Sequence, residues 1–236
     1  MERLKLDRNN IKLFGAFAMT LDHIGVVFFI GYDLESLLSA PPAIQTIGII
    51  LRVIGRFAFP IFCFFLVEGY LHTRNKVKYV ARMAMCATVS EIPFDLCLSS
   101  QLFDFSHQNT IFTLITGLIA IICIDKAGNL KDNRILVQII AFISCSIAAT
   151  LLNLDYKWGG VALIVALYVF RNNNKLRLIF SSISLVFCGV GEIIGVLSIV
   201  IANKYNSNKH KLKYSFYVFY PLHLVVLYII SFYLKS

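Results

Sequence analysis

Charged residues are scarce in this sequence, 15% of 236 positions against 58% hydrophobic. A soluble globular domain carries about 25% charged residues, so an ordinary soluble fold is excluded. Proline is sparse too, at five, and tryptophan occurs once. The six cysteines (Cys63, Cys86, Cys97, Cys123, Cys145 and Cys188) stand singly, with no CxxC pair. Neither a zinc site nor a disulfide framework is signalled, and no metal is expected. A Gly-rich phosphate loop, G-x-S-x-G and H-E-x-x-H are all missing. So are internal repeats, extended Ser/Gly linkers and low-complexity segments, and we read 1–236 as a single domain.

The sequence does have long apolar blocks separated by short polar connectors. A bilayer crossing needs about 18 or more predominantly apolar residues. Candidate segments cover 11–30, 48–71, 78–97, 109–125, 134–152, 157–170, 177–189, 191–202 and 214–234. The expected fold is therefore all-α, a polytopic transmembrane helical bundle of about nine membrane segments. The first apolar run contains Asp22-His23 and no small-x-small cleavage site follows it, so it reads as a retained helix and not a signal peptide.

The net charge of +9 could suggest nucleic acid, but the distribution of the charges points elsewhere. Arg3, Lys5, Arg8 and Lys12 precede the first segment, and Arg74, Lys76, Lys78 and Arg82 follow the second. Lys126, Lys131 and Arg134, and then Arg171, Lys175 and Arg177, occupy later connectors, whereas loops 31–47 and 98–108 hold no basic residue. Basic-rich connectors lie on the cytoplasmic side. This places the N-terminus inside, the C-terminus outside, and the chain in the inner (cytoplasmic) membrane, with lipid and not nucleic acid around it. A broken or re-entrant hairpin over 177–202, its tip toward the outer half, brings Lys204, Lys209, Lys211 and Lys213 inside as well. Each half is only about 13 residues, roughly 20 Å as helix, and Cys188-Gly189-Val190-Gly191 is the natural break.

Ionisable residues inside apolar segments are the informative ones, since placing one centrally costs about 2.5–3.5 kcal/mol. Asp22 and His23 lie in the first segment, Arg52 and Arg56 enter the second, and Glu68 ends it. Glu91 and Asp95 lie in the third, His107 and Asn109 at the start of the fourth, Glu192 in the hairpin and His223 in the last. Charges spread over so many helices are expected to converge on an interior polar cavity. His23 is a titratable imidazole at mid-membrane; a plain helix–helix hydrogen bond is the alternative. Arg52 is expected to snorkel to the outer interface and Arg56 to face inward, with Pro60 kinking the helix by freeing the Arg56 carbonyl. Glu91 and Asp95, four apart, are expected near Arg56, as a structural or a catalytic charge cluster. His72, Arg74, Lys76 and Lys78 form a basic mouth, either ordinary flanking charge or a site for a phosphorylated ligand.

At these residues the sequence resembles the TraX family, known for acetylating the N-terminus of a conjugative pilin. The similar stretches are MTLDHIG (19–25), IGRFAFPIFCFFLVEGYLHTRN (54–75), YVARM (79–83), SEIPFD (90–95), QNTIFTL with Gly117, and FYVFYPLHL (216–224). The resemblance implies a polytopic membrane acyltransferase that takes acetyl from cytoplasmic acetyl-CoA as co-substrate. It also implies a membrane-embedded histidine as the key residue. On this expectation His23 or His223 is the base or the transient acetyl carrier, His23 being favoured for its acidic neighbour and its depth. Asp22 or another carboxylate orients the imidazole, Arg56 or Asn109 steadies the oxyanion, and Glu68, near the inner end of the second segment, is counted with the catalytic residues. His72, Arg74, Lys76, Lys78, Glu91, Asp95 and Asn109 form the expected substrate and CoA-binding set. The acceptor is an amine or hydroxyl of a protein N-terminus, a lipid or a glycan. A small-solute or ion transporter and a non-catalytic component of a secretion or conjugation apparatus are the alternatives.

Overall fold

The structure, a computed structural model, describes residues 7–31, 34–204 and 215–235. Arg3, Lys5, Lys209, Lys211 and Lys213, used above for orientation, lie outside the described residues. The elements are α1 (Arg8–Gly25, continued by a π-helical turn Val26–Ile30), α2 (Leu34–Ser39), α3 (Pro42–Gly55), α4 (Ala58–His72) and α5 (Lys76–Leu98). They continue with α6 (Thr110–Ala127), α7 (Arg134–Leu151), α8 (Lys157–Val169) and α9 (Asn174–Cys188). A 3-10 turn (Val190–Gly195), α10 (Val196–Ala202) and α11 (Ser215–Lys235) complete the chain. Among the described residues there is no β-strand, and the fold is all-α as expected.

Helix starts follow from capping chemistry. The Asp7 carboxylate accepts from the Asn9 amide, the Asn109 side chain from Ile111, and the Asn173 side chain from Lys175 and Leu176, each satisfying orphan amides of a first turn. Pro41-Pro42 opens α3, where a missing amide is harmless.

Among the described residues, five segments are long and apolar enough to cross a membrane: Arg8–Ile30, Pro42–His72, Thr110–Ala127, Arg134–Leu151 and Ser215–Leu234. Together they make this a multi-pass membrane protein, but the nine expected segments are not matched one for one. Segment 78–97 falls on α5, which is 23 residues long but carries Arg82, Glu91 and Asp95 within its apolar stretch. Segment 157–170 falls on α8, whose 13 residues reach only about 20 Å. The proposed hairpin becomes α9, a tight turn and the seven-residue α10. Its break is where the sequence places it: α9 stops at Cys188, and Gly189 takes φ +156°, a conformation a side chain would disfavour.

The second segment departs from expectation in another way. It is interrupted at Arg56-Phe57, between α3 and α4, and Pro60 sits in the first turn of α4. There its absent amide is one of the orphans, so the proline follows the break and does not kink a continuous helix.

The described chain groups into two compact units. One comprises Met1–Phe62, Thr88–Asp104 and Leu197–Ser236, and within it α1 packs on α3 and on α11. Gly48 lies against Ile30 and Gly55 against Asp22, so the two backbones approach closely, as small residues allow at membrane helix interfaces. The other unit comprises Cys63–Ala87 and Phe105–Val196, where α6, α7 and α8 pack together and α9 packs on α8. Half of the apolar window of α6 is buried inside the protein, against 6% for α7. α7 is therefore exposed over most of its apolar surface, and α6 lies more in the interior of that unit.

Candidate functional site

The first unit brings together five of the residues singled out in the sequence: His23, His223, Asp22, Arg52 and Arg56. His23 on α1 and His223 on α11 lie 200 positions apart in the chain, and His23 Nδ1 is 3.1 Å from His223 Nε2. The ring centroids are 5.1 Å apart, and the two residues are only 8% and 7% exposed. His223 Nδ1 is 3.0 Å from the Phe219 carbonyl oxygen one turn back, and its ring stacks on Phe219 at an interplanar angle of 4°. Tyr220, also buried, meets the same ring edge-on.

One residue before His23, Asp22 faces α3. Its Oδ1 is 3.4 Å from Arg56 and its Oδ2 3.7 Å from Arg52. Neighbours on a helix point about 100° apart, so the carboxylate serves the arginines while the imidazole turns to the other histidine. Arg52, expected to snorkel toward the outer interface, is also the second partner of Asp22. The paired guanidiniums, four residues apart, would repel each other without a shared anion, and Asp22 supplies it.

Arg56 forms an ion pair with Asp22, and on α5 Asp95, 3% exposed, accepts through Oδ2 from the Asp104 amide at 2.9 Å. Asp95 thereby ties down the polar loop that follows the helix. Glu91 is half-buried on the same helix.

Glu68, His72, Arg74, Lys76, Lys78 and Asn109 belong to the other unit. His72 Nδ1 approaches the Glu68 backbone oxygen at 2.7 Å and its carboxylate at 3.9 Å. Arg74 is exposed on the connector between α4 and α5, and Lys78 is exposed in the first turn of α5. Asn109 is completely buried; it caps α6, and its Nδ2 donates to the Ala87 carbonyl at 2.9 Å, binding the start of α6 to α5.

A polar cluster in this unit escaped the sequence reading. Tyr70 and Tyr168, both buried, each donate a hydroxyl to Asp125, one to each carboxylate oxygen, at 2.5 Å. Lys76 donates to the Tyr70 carbonyl and lies 3.9 Å from the centre of its ring, and Arg171 donates to the Tyr168 carbonyl and lies 4.5 Å from the centre of that ring. Cations over tyrosine faces are attracted by the ring quadrupole. Four helix ends or connectors are thus tied at one carboxylate. An acidic residue closing the apolar run of α6, with tyrosines ending α4 and α8, was the available signal.

The family model described as TraX protein matches residues 7–231. A relative, the "Probable fimbrial assembly protein FimC, serogroup H1" of Dichelobacter nodosus, is 26% identical over 248 residues, covering 92% of this chain and 92% of that protein. No solved structure matches the chain. With α1 through α11 all inside or reaching into the matched range, and with the histidine pair and its flanking Asp22–Arg56 ion pair on helices within it, the chain belongs to the TraX family.

Proposed function

We propose that this protein is a membrane-embedded acetyltransferase that serves fimbrial or pilus assembly. Acetyl-CoA is its co-substrate, and an amine or hydroxyl of an envelope acceptor is its target, a pilin-like N-terminus foremost. The observation that supports this best is the buried histidine pair. Two buried imidazoles within hydrogen-bond distance of each other, one of them also against a backbone carbonyl, are costly to place in an apolar segment. They are suited to moving a proton. In the reaction the acceptor heteroatom attacks the thioester carbonyl and a histidine takes the acceptor's proton. The carbon–sulfur bond then breaks, and the CoA thiolate leaves with that proton.

The exposed Arg74 and Lys78 are the residues we expect to meet the CoA phosphates. We place the protein in the cytoplasmic membrane with its N-terminus inside and its C-terminus outside, because the basic connectors then lie on the cytoplasmic face. The relative's description as a fimbrial assembly protein supports an acceptor in the cell envelope.

The test is release of free thiol from acetyl-CoA by the purified protein in proteoliposomes, supplied with pilin N-terminal peptides and, separately, with envelope lipids. Thiol release that depends on an acceptor, together with an acceptor heavier by one acetyl group, is the expected result. Its absence from correctly folded protein across all acceptors would leave assembly without catalysis as the role.

A further inference from the structure

The contacts of the two histidines determine which of their nitrogens carry protons. A carbonyl oxygen can only accept, so the 3.0 Å contact from His223 Nδ1 to the Phe219 oxygen requires a proton on Nδ1. In a neutral ring the Nε2 of His223 is then the lone-pair nitrogen. The atom facing it at 3.1 Å is His23 Nδ1, which must be the donor. His23 in turn is left with its lone pair on Nε2. The order of donors runs in one direction, from α1 to α11 and into the helix backbone.

We infer that His223 is the positioning residue of the pair, and that by accepting the Nδ1 proton of His23 it holds that ring in the tautomer whose Nε2 is free to act as base. A free imidazole prefers its proton on Nε2, the arrangement that could not accept a substrate proton there. The contact to His223 reverses this preference. The same logic orients the histidine of a serine-hydrolase triad, where a carboxylate does the holding; here a second imidazole, itself fixed by a backbone carbonyl, does it.

This inference rests on the acetyltransferase reading for its chemical step but not for its tautomer. When His23 Nε2 takes the acceptor proton, the ring becomes an imidazolium and its Nδ1–H stays directed at His223 Nε2. As the tetrahedral centre collapses, Nε2 gives that proton to the departing thiolate, the carbon–sulfur bond breaks and the new carbon–nitrogen or carbon–oxygen bond remains. His223 ends the relay, because its other nitrogen already donates to a carbonyl that cannot carry a proton away.

Two variants separate this role from packing. His223→Gln offers an amide oxygen where Nε2 stood, and His223→Phe keeps a flat ring to stack on Phe219 but no acceptor. With full-length protein labelled with 15N-histidine in nanodiscs, the wild type and His223→Gln should show His23 protonated on Nδ1 and bare on Nε2, and His223→Phe should show the proton moved to Nε2. In acetyl transfer, His223→Phe should lose about 100-fold in kcat with the KM for acetyl-CoA unchanged, and His223→Gln should recover most of it. A wild-type His23 carrying its proton on Nε2, or a His223→Phe protein with full kcat, would overturn the inference. Should the wild type transfer no acetyl to any acceptor, the acetyltransferase reading fails by itself, and the ring-nitrogen signals still decide the tautomer.

Discussion

Gly55 lies directly against Asp22, with the Asp22 side chain occupying the space a methyl group on Gly55 would need. This contact sets how closely α3 approaches α1, and so how Asp22 reaches Arg56 while His23 turns toward α11.

Gly55→Ala is therefore expected to destabilise the protein by about 1–3 kcal/mol, the usual cost of overpacking. Thermal unfolding in mild detergent measures it. Gly191→Ala is the control, because a methyl there meets nothing within 4 Å and should leave the midpoint unchanged.

Removing one member of the Asp22 ion pair should cost more than removing both. Asp22→Asn removes the carboxylate that both Arg52 and Arg56 pair with, and breaking a largely buried pair in this way costs about 3 kcal/mol. The double variant Asp22→Asn with Arg56→Gln should regain part of that loss. A double-mutant cycle with no coupling would show that the pair is not an energetic unit.

Tyr70→Phe and Tyr168→Phe each delete one hydrogen bond to Asp125, a charged acceptor that is itself exposed. About 1 kcal/mol is expected for each, read from denaturation midpoints. The two losses should be less than additive with Asp125→Asn, since all three act on one carboxylate.

Asn109→Ala should cost roughly 2 kcal/mol, combining a lost helix cap with a buried Ala87 carbonyl left without its donor. Asn109→Ser restores the cap alone and should regain about half. If Asn109→Ser folds like the wild type yet fails in acetyl transfer, the side chain has a chemical duty beyond capping.

Orientation is testable from outside. In a cysteine-free background, Phe103→Cys should react with an impermeant maleimide added to spheroplasts, whereas Arg74→Cys and Lys131→Cys should react only after lysis. The first site is an exposed position in a connector lacking basic residues, the other two lie in basic connectors. Reversed labelling would invert the topology.

The alternation of apolar blocks and basic connectors was enough to read the helical class, the membrane setting and the rough position of most helices, because lipid imposes length and composition on every crossing segment. The residues of interest were legible for the same reason: Asp22, His23, Arg56 and His223 stand out where charge is expensive. The break after Cys188 was visible in its glycines. What composition could not supply was partner choice. His23 had an acidic neighbour in sequence, yet helical geometry turns adjacent side chains apart, and its hydrogen-bond partner comes from α11, 200 positions away. Arg56 has two carboxylates at a plausible depth on α5, and its pairing with Asp22 on α1 is not readable from the sequence. The Tyr70–Asp125–Tyr168 cluster left only a weak trace, three polar residues at separate helix ends that nothing local brings together. Periodicity and hydropathy are local properties, readable along the chain; hydrogen bonds and ion pairs between helices depend on which faces meet, and only packing in three dimensions determines that.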